Sequence, residues 1–128
     1  MAVKVLDASA LGALVFGEPE AEAVAETLSD STLVAPYLLW FEVASIAFKK
    51  IARHPVYSKQ IREAFRMAEQ LEIELLEVDH VEVMELAAKT RLTTYDASYL
   101  WLARATADEL VTLDKRLLRA FSQFKAGL

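Results

Sequence analysis

Four short apolar runs, at residues 3–7, 32–35, 73–78 and 109–113, are separated by stretches whose apolar residues recur at helical spacing. This alternation constrains the fold more than any other feature of the chain. Strands joined through a helix pair in parallel, because only an antiparallel pair can be closed by a short turn. A parallel sheet must then be covered on both faces. The expected class is therefore α/β, in a single domain over residues 1–128. Helices are expected at 8–16, 20–28, 37–51, 58–71, 80–90, 96–106 and 114–124, with breaks at Gly17-Glu18-Pro19, Pro36 and His54-Pro55.

Composition narrows the function. With 55% hydrophobic residues the chain has ample material for a core, yet acids interrupt every apolar run before it reaches membrane-spanning length. The start, Met1-Ala2-Val3-Lys4, leads straight into the first strand without the basic and apolar segments of a signal peptide. There is no cysteine, which excludes disulfides and thiolate metal sites. A cytoplasmic protein is expected. The net charge of −5 argues against a general nucleic-acid binder, though not against an enzyme that reaches nucleic acid through a metal and a local basic rim. The chain also lacks asparagine, a hint of a hot environment. No P-loop, dinucleotide fingerprint or Ser–His–Asp pattern is present.

Four acids stand where an acid is either poised or awkward. Asp7 and Asp114 each follow a strand and precede a helix, the edge at which open parallel sheets bind ligands. Each is also a good helix N-cap, and Asp96 a good first-turn acid, so capping alone could account for all three. Glu42 is different. Its helical neighbours Leu38, Leu39, Ser45 and Ile46 include no base, and the next lysines, Lys49 and Lys50, lie about 10 Å along the axis at ~1.5 Å per residue. Either a salt bridge to another segment or a metal and water network is needed there. Brought together, the four would repel one another unless a hard divalent cation such as Mg²⁺ or Mn²⁺ neutralised them.

In order along the chain, Val-Leu-Asp7-Ala-Ser9, Glu42 in a long helix, Thr94-Tyr95-Asp96-Ala97 before a Leu/Ala-rich helix, and Leu-Val-Thr112-Leu-Asp114 resemble the PIN-domain ribonucleases. The resemblance is closest to the VapC type, the toxin of toxin–antitoxin pairs. It covers essentially the whole chain. It implies a three-layer α/β/α sandwich on a parallel sheet of four or five strands, Mg²⁺- or Mn²⁺-dependent RNA cleavage, a homodimer and a small antitoxin partner. Asp7, Glu42, Asp96 and Asp114 match the family's catalytic acids, with Asp7, Asp96 and Asp114 as metal ligands. Ser9 and Thr112 match its small hydroxyl positions, where contacts to those ligands are expected; two-residue spacing puts Thr112 and Asp114 on one side of a strand. Only fourteen residues follow Asp114, so the fifth, edge strand is expected to be short or missing.

The helix at 37–51 is apolar almost all round, through Tyr37, Trp40, Phe41, Val43, Ala44, Ala47, Phe48 and Ile51. Burial on every side is expected, one side against the sheet and the other in a homodimer interface near Trp40, Phe41 or Phe48. Lys49, Lys50 and Arg53 suit the helix C-terminus, whereas Arg91, Arg104, Lys115, Arg116 and Arg119 are candidates for a phosphate-facing rim. His54 and His80 have no partners at metal-ligand spacing and are assigned no role. Three rivals remain: a phosphotransfer or phosphatase domain with a strand-end Asp nucleophile, disfavoured by Ser9 in place of a second Asp; a non-catalytic dimerisation module; and an RNA-processing PIN nuclease without an antitoxin.

Overall fold

The computed structural model describes residues 2–106 and 109–125. The elements are β1 (Ala2–Leu6), α1 (Ala8–Val15), α2 (Ala21–Leu28), β2 (Ser31–Pro36), α3 (Leu39–Arg53), α4 (Ser58–Ala68), β3 (Ile73–Leu76), α5 (His80–Thr90), α6 (Thr94–Thr106), β4 (Glu109–Val111) and α7 (Lys115–Lys125), with one 3-10 turn at Pro55–Tyr57. The strands form one parallel sheet in the order β3-β2-β1-β4. Residues 126–128, where part of a fifth strand could fall, lie outside the described residues. Among the described residues no helix is long and apolar enough to cross a membrane.

Strand order places the helices. From β1 to β2 to β3 the chain steps in one direction across the sheet, and β3 to β4 steps back over β1. Right-handed crossovers then put α1–α4 on one face and α5–α6 on the other. The contacts agree: α1 touches α2, α3 and α4, while α6 touches α5, α7, β1, β2 and β4. The result is a three-layer α/β/α sandwich. Because α1 and α7 leave β1 and β4 toward opposite layers, a crevice opens between those neighbouring strands at their carboxyl ends.

Helix α6 is the principal core element. Ala97, Tyr99, Leu100, Leu102 and Ala103 are all at most 1% exposed, facing Val5, Leu6, Leu110 and Val111 of the central strands. Glycine matters at one contact. A Cβ on Gly12 would lie 3.0 Å from the Ile46 Cδ1, so its absence lets α1 approach α3 closely.

The long helix departs from expectation. It is not buried on every side. Leu39, Val43 and Ala47 form a buried stripe at four-residue spacing, whereas Phe41 and Phe48 are 81% and 73% exposed. Trp40 turns back within the chain and packs edge-on against Phe65 of α4, with centroids 5.8 Å apart. The apolar residues exceed what one sheet face can cover.

Leu39 is fully buried, and Leu39→Ala is expected to destabilise the fold by about 2–5 kcal/mol in urea unfolding, through lost burial and the cavity left behind. A loss below ~1 kcal/mol would mean that this stripe does not pack as described.

Candidate active site

The carboxyl ends of β1 and β4 are tied together by Asp7. Its backbone N–H donates to the Val111 carbonyl at 3.1 Å, the last rung between the strands. Its side chain caps α1, with Oδ1 accepting from the Ala10 N–H at 3.0 Å and from the Ser9 hydroxyl at 2.7 Å. The other oxygen, Oδ2, accepts from the Thr112 hydroxyl at 2.6 Å. Thr112 in turn accepts the Asp114 N–H at 2.9 Å, and Ser9 accepts the Leu113 N–H at 2.9 Å. Both hydroxyls named from the sequence therefore touch Asp7. The reason differs from strand alternation: β4 ends at Val111, and Thr112 and Asp114 are joined by a side-chain turn beyond it.

Asp114 starts α7. Its Oδ1 accepts the Arg116 and Leu117 N–H groups at 2.9 and 3.2 Å. Asp96 lies in the first turn of α6, and its N–H donates to the Thr93 hydroxyl at 3.1 Å, an N-cap one turn earlier than the expected start of that helix. Glu42, in the first turn of α3, caps nothing. Its Oε1 instead accepts the Tyr99 hydroxyl at 2.7 Å. Sequence reading missed Tyr99, although its position three residues after Asp96 puts it near the same helix face.

All four acids line one open cleft of about 510 Å³ with Ser9, Phe41, Ser45, Ile46, Lys49 and Tyr95. Glu42, Ser45, Ile46 and Lys49 follow one stripe of α3, which brings Lys49 into the cleft rather than leaving it at the helix end. The electrostatics are those of crowded carboxylates. Burial raises Asp7 above the usual carboxylate range, hydrogen bonds from Thr112, Ala10 and Ser9 oppose this, and Asp96 adds repulsion. Burial also raises Glu42, against the Tyr99 hydrogen bond, with Asp96 and Asp7 repelling it. Asp96 is raised by burial and then by Asp114, with Thr93 and Arg116 opposing. Tyr99 is raised far beyond its ordinary range by burial and by Glu42, so it remains a donor.

The donor set is oxygen-only and anionic, which fits a hard divalent cation. Among the described residues no three acids or histidines gather tightly enough to hold an ion unaided. The fit is therefore one of donor type and charge.

A parallel sheet with acids gathered at the switch between β1 and β4 defines an α/β protein with an acidic cleft, and comparison with known proteins gives it a family. The PIN domain profile matches residues 4–121. The chain belongs to the PIN-domain family. It is similar to Ribonuclease VapC3 of Pyrobaculum aerophilum, at 30% identity over 122 residues, covering 91% of this chain and 93% of that protein. It is also similar to the crystal structure of PAE2754 from Pyrobaculum aerophilum, with a TM-score of 0.74 at 25% identity, covering 98% of this chain and 94% of that one.

Asp7 generates a pH-dependent expectation. Its folded-state pKa lies above the ordinary 3.8, so between the two values the folded protein holds a proton that the unfolded chain has released. Stability then falls as pH rises through that window. Asp7→Asn keeps an oxygen for the α1 cap and removes the ionisation. In EDTA at neutral pH the variant is expected to be at least as stable as the parent, with its relative advantage shrinking as pH falls toward 3.8. Urea unfolding across about pH 4 to 7 measures this; a variant whose stability stays close to the parent's at every pH would identify Asp7 as a cap alone.

Proposed function

We propose that this chain is a metal-dependent endoribonuclease that hydrolyses RNA phosphodiester bonds, acting in the cytoplasm as the toxin of a toxin–antitoxin pair. The observation that carries the reading is Glu42. Capping explains the places of Asp7 and Asp114, and the first helical turn explains Asp96, but Glu42 caps nothing and forms no ion pair among the described residues. It nevertheless shares the cleft with the other three acids. The kinship with Ribonuclease VapC3 supports RNA as the substrate.

Asp7, Asp96 and Asp114 would hold Mg²⁺ or Mn²⁺, with Glu42 reached through water. A bound cation would supply a polarised water and neutralise a phosphate oxygen. Ser9 and Thr112 fix the Asp7 carboxylate from two sides. Tyr99 holds one oxygen of Glu42. Burial makes the Glu42 carboxylate more basic than usual, which suits a group that orients the attacking water and takes its proton. Lys49, the one cation lining the cleft among the described residues, is placed to meet a substrate phosphate. A small antitoxin protein would silence the enzyme by covering this cleft.

Cleavage of single-stranded RNA is expected only with Mg²⁺ or Mn²⁺ and is abolished by EDTA. Glu42→Gln keeps an oxygen for the Tyr99 hydroxyl but loses the base, so activity should fall by about 10²-fold or more with the melting temperature little changed. Cleavage at the parental rate by that variant, or in EDTA, would remove the basis of the reading.

The exposed face of α3, with Phe41 and Phe48, is the proposed homodimer surface. Light scattering is expected to give twice the 14.3 kDa chain mass for the parent and the single-chain mass for Phe48→Asp. A parent that is monomeric at micromolar concentration would refute this assembly.

A further inference from the structure

Helices α5, α6 and α7 flank a second, open cavity of about 490 Å³, lined by Lys89, Arg104, Arg116 and Arg119 and, among the described residues, by no carboxylate. In a chain of net charge −5, four cations around one concavity call for a reason. None of the four forms an ion pair among the described residues, where the ion pairs are Lys4–Glu109 and Lys50–Glu18. Arg116 donates to the Arg91 carbonyl at 2.8 Å, and Arg104 lies over the Phe124 ring at 4.5 Å. Both contacts hold the guanidinium in place without neutralising it.

Local structure explains the clustering. Arg116, Arg119 and Gln123 share one stripe of α7, opposite the buried Leu117 and Phe121. Arg104 lies one turn after the buried Leu100 on α6, and Lys89 is in the last turn of α5. The floor is apolar, from Leu86, Leu92 and Leu100. Ordinary solvated surface would mix both signs, and the surface does so just beyond Arg104, where Glu82 and Glu85 surround Trp101. Lys89 and Arg104 line that mixed surface as well, so the cationic stretch ends at these two residues. Its other end meets the acidic cleft, because Arg116 follows Asp114 by two residues and acts electrostatically on Asp96.

We propose that this groove is an RNA-backbone site, in which Lys89, Arg104, Arg116 and Arg119 hold phosphates of the strand flanking the bond in the acidic cleft. The proposal rests on the ribonuclease reading. The space is too large for a single phosphate, and its apolar floor gives sugar and base faces a surface to cover. An acidic protein segment would suit the cations equally; RNA is favoured because the groove adjoins the cleft proposed to cleave it, at Arg116 two residues after Asp114.

The test is binding of a labelled single-stranded RNA of about 20 nucleotides, and of a tetranucleotide, to Glu42→Gln protein with Mg²⁺ across a salt series. Adding Arg104→Gln and Arg119→Gln should weaken the longer RNA about tenfold and lower the slope of log affinity against log salt by roughly 0.7 per cation removed. The loss on the tetranucleotide should be much smaller. Arg104→Lys with Arg119→Lys should restore most of the affinity, which a purely structural role of Arg104 on Phe124 would not allow. Unchanged affinity and slope, equal loss on both RNAs, or tighter binding of a polyglutamate peptide than of RNA would overturn the proposal. If the expected losses appear while protein with native Glu42 cleaves no RNA, the nuclease reading fails and the groove stands as an RNA site.

Discussion

Asp7 is 4% exposed at the junction of β1 and β4, and almost every group around it is oriented toward its carboxylate. An ionised carboxylate at that depth is tolerable only because three donors surround it, since burying a charge without partners costs several kcal/mol. The same three donors build the junction. The Ala10 N–H belongs to the first turn of α1, Ser9 reaches across to Leu113, and Thr112, which reaches across to Asp7, also accepts the Asp114 N–H within its own turn. The local fold and the acidic site are therefore a single hydrogen-bonded object, and neither can be altered without the other.

That object sits where the sheet topology opens a crevice, with acids delivered from two layers. Asp7 and Asp114 come from strand ends, Glu42 from the α3 layer and Asp96 from the α6 layer. Carboxylates arriving from separate, well-packed elements cannot retreat from one another by a local adjustment of the chain. Their mutual repulsion is consequently held in place by the core, above all by α6 against β1, β2 and β4. Stored repulsion of this kind favours whatever brings positive charge to the cleft.

Charge in the molecule is segregated rather than simply acidic. After Asp114 the described part of the chain carries Lys115, Arg116, Arg119 and Lys125 and no acid, so α7 turns a cationic stripe toward α5 and α6 immediately beside the acidic cleft. A single value of net charge conceals this. Of the basic residues named individually in the sequence, Arg104, Arg116 and Arg119 share one cavity formed by the packing of three helices, whereas Arg91 and Lys115 are not among its lining residues.

The parallel sheet, the positions of Asp7 and Asp114 at strand ends, and the isolation of Glu42 were legible in the sequence because they depend on local periodicity and on neighbours within one turn. Tertiary structure decided the rest. Strand order could not be read from periodicity, yet it is the strand order that sets β4 beside β1 and brings Thr112 to Asp7 across 105 positions of chain. The Tyr99 hydroxyl on Glu42 spans 57 positions and depends on how α3 and α6 face the crevice. The exposed face of α3 escaped prediction because apolar composition shows what a helix could bury, whereas only the neighbouring elements determine what it does bury. Local patterns report a residue's chemistry and its direction from the backbone; which distant residue it meets is set by packing, which no short window of sequence contains.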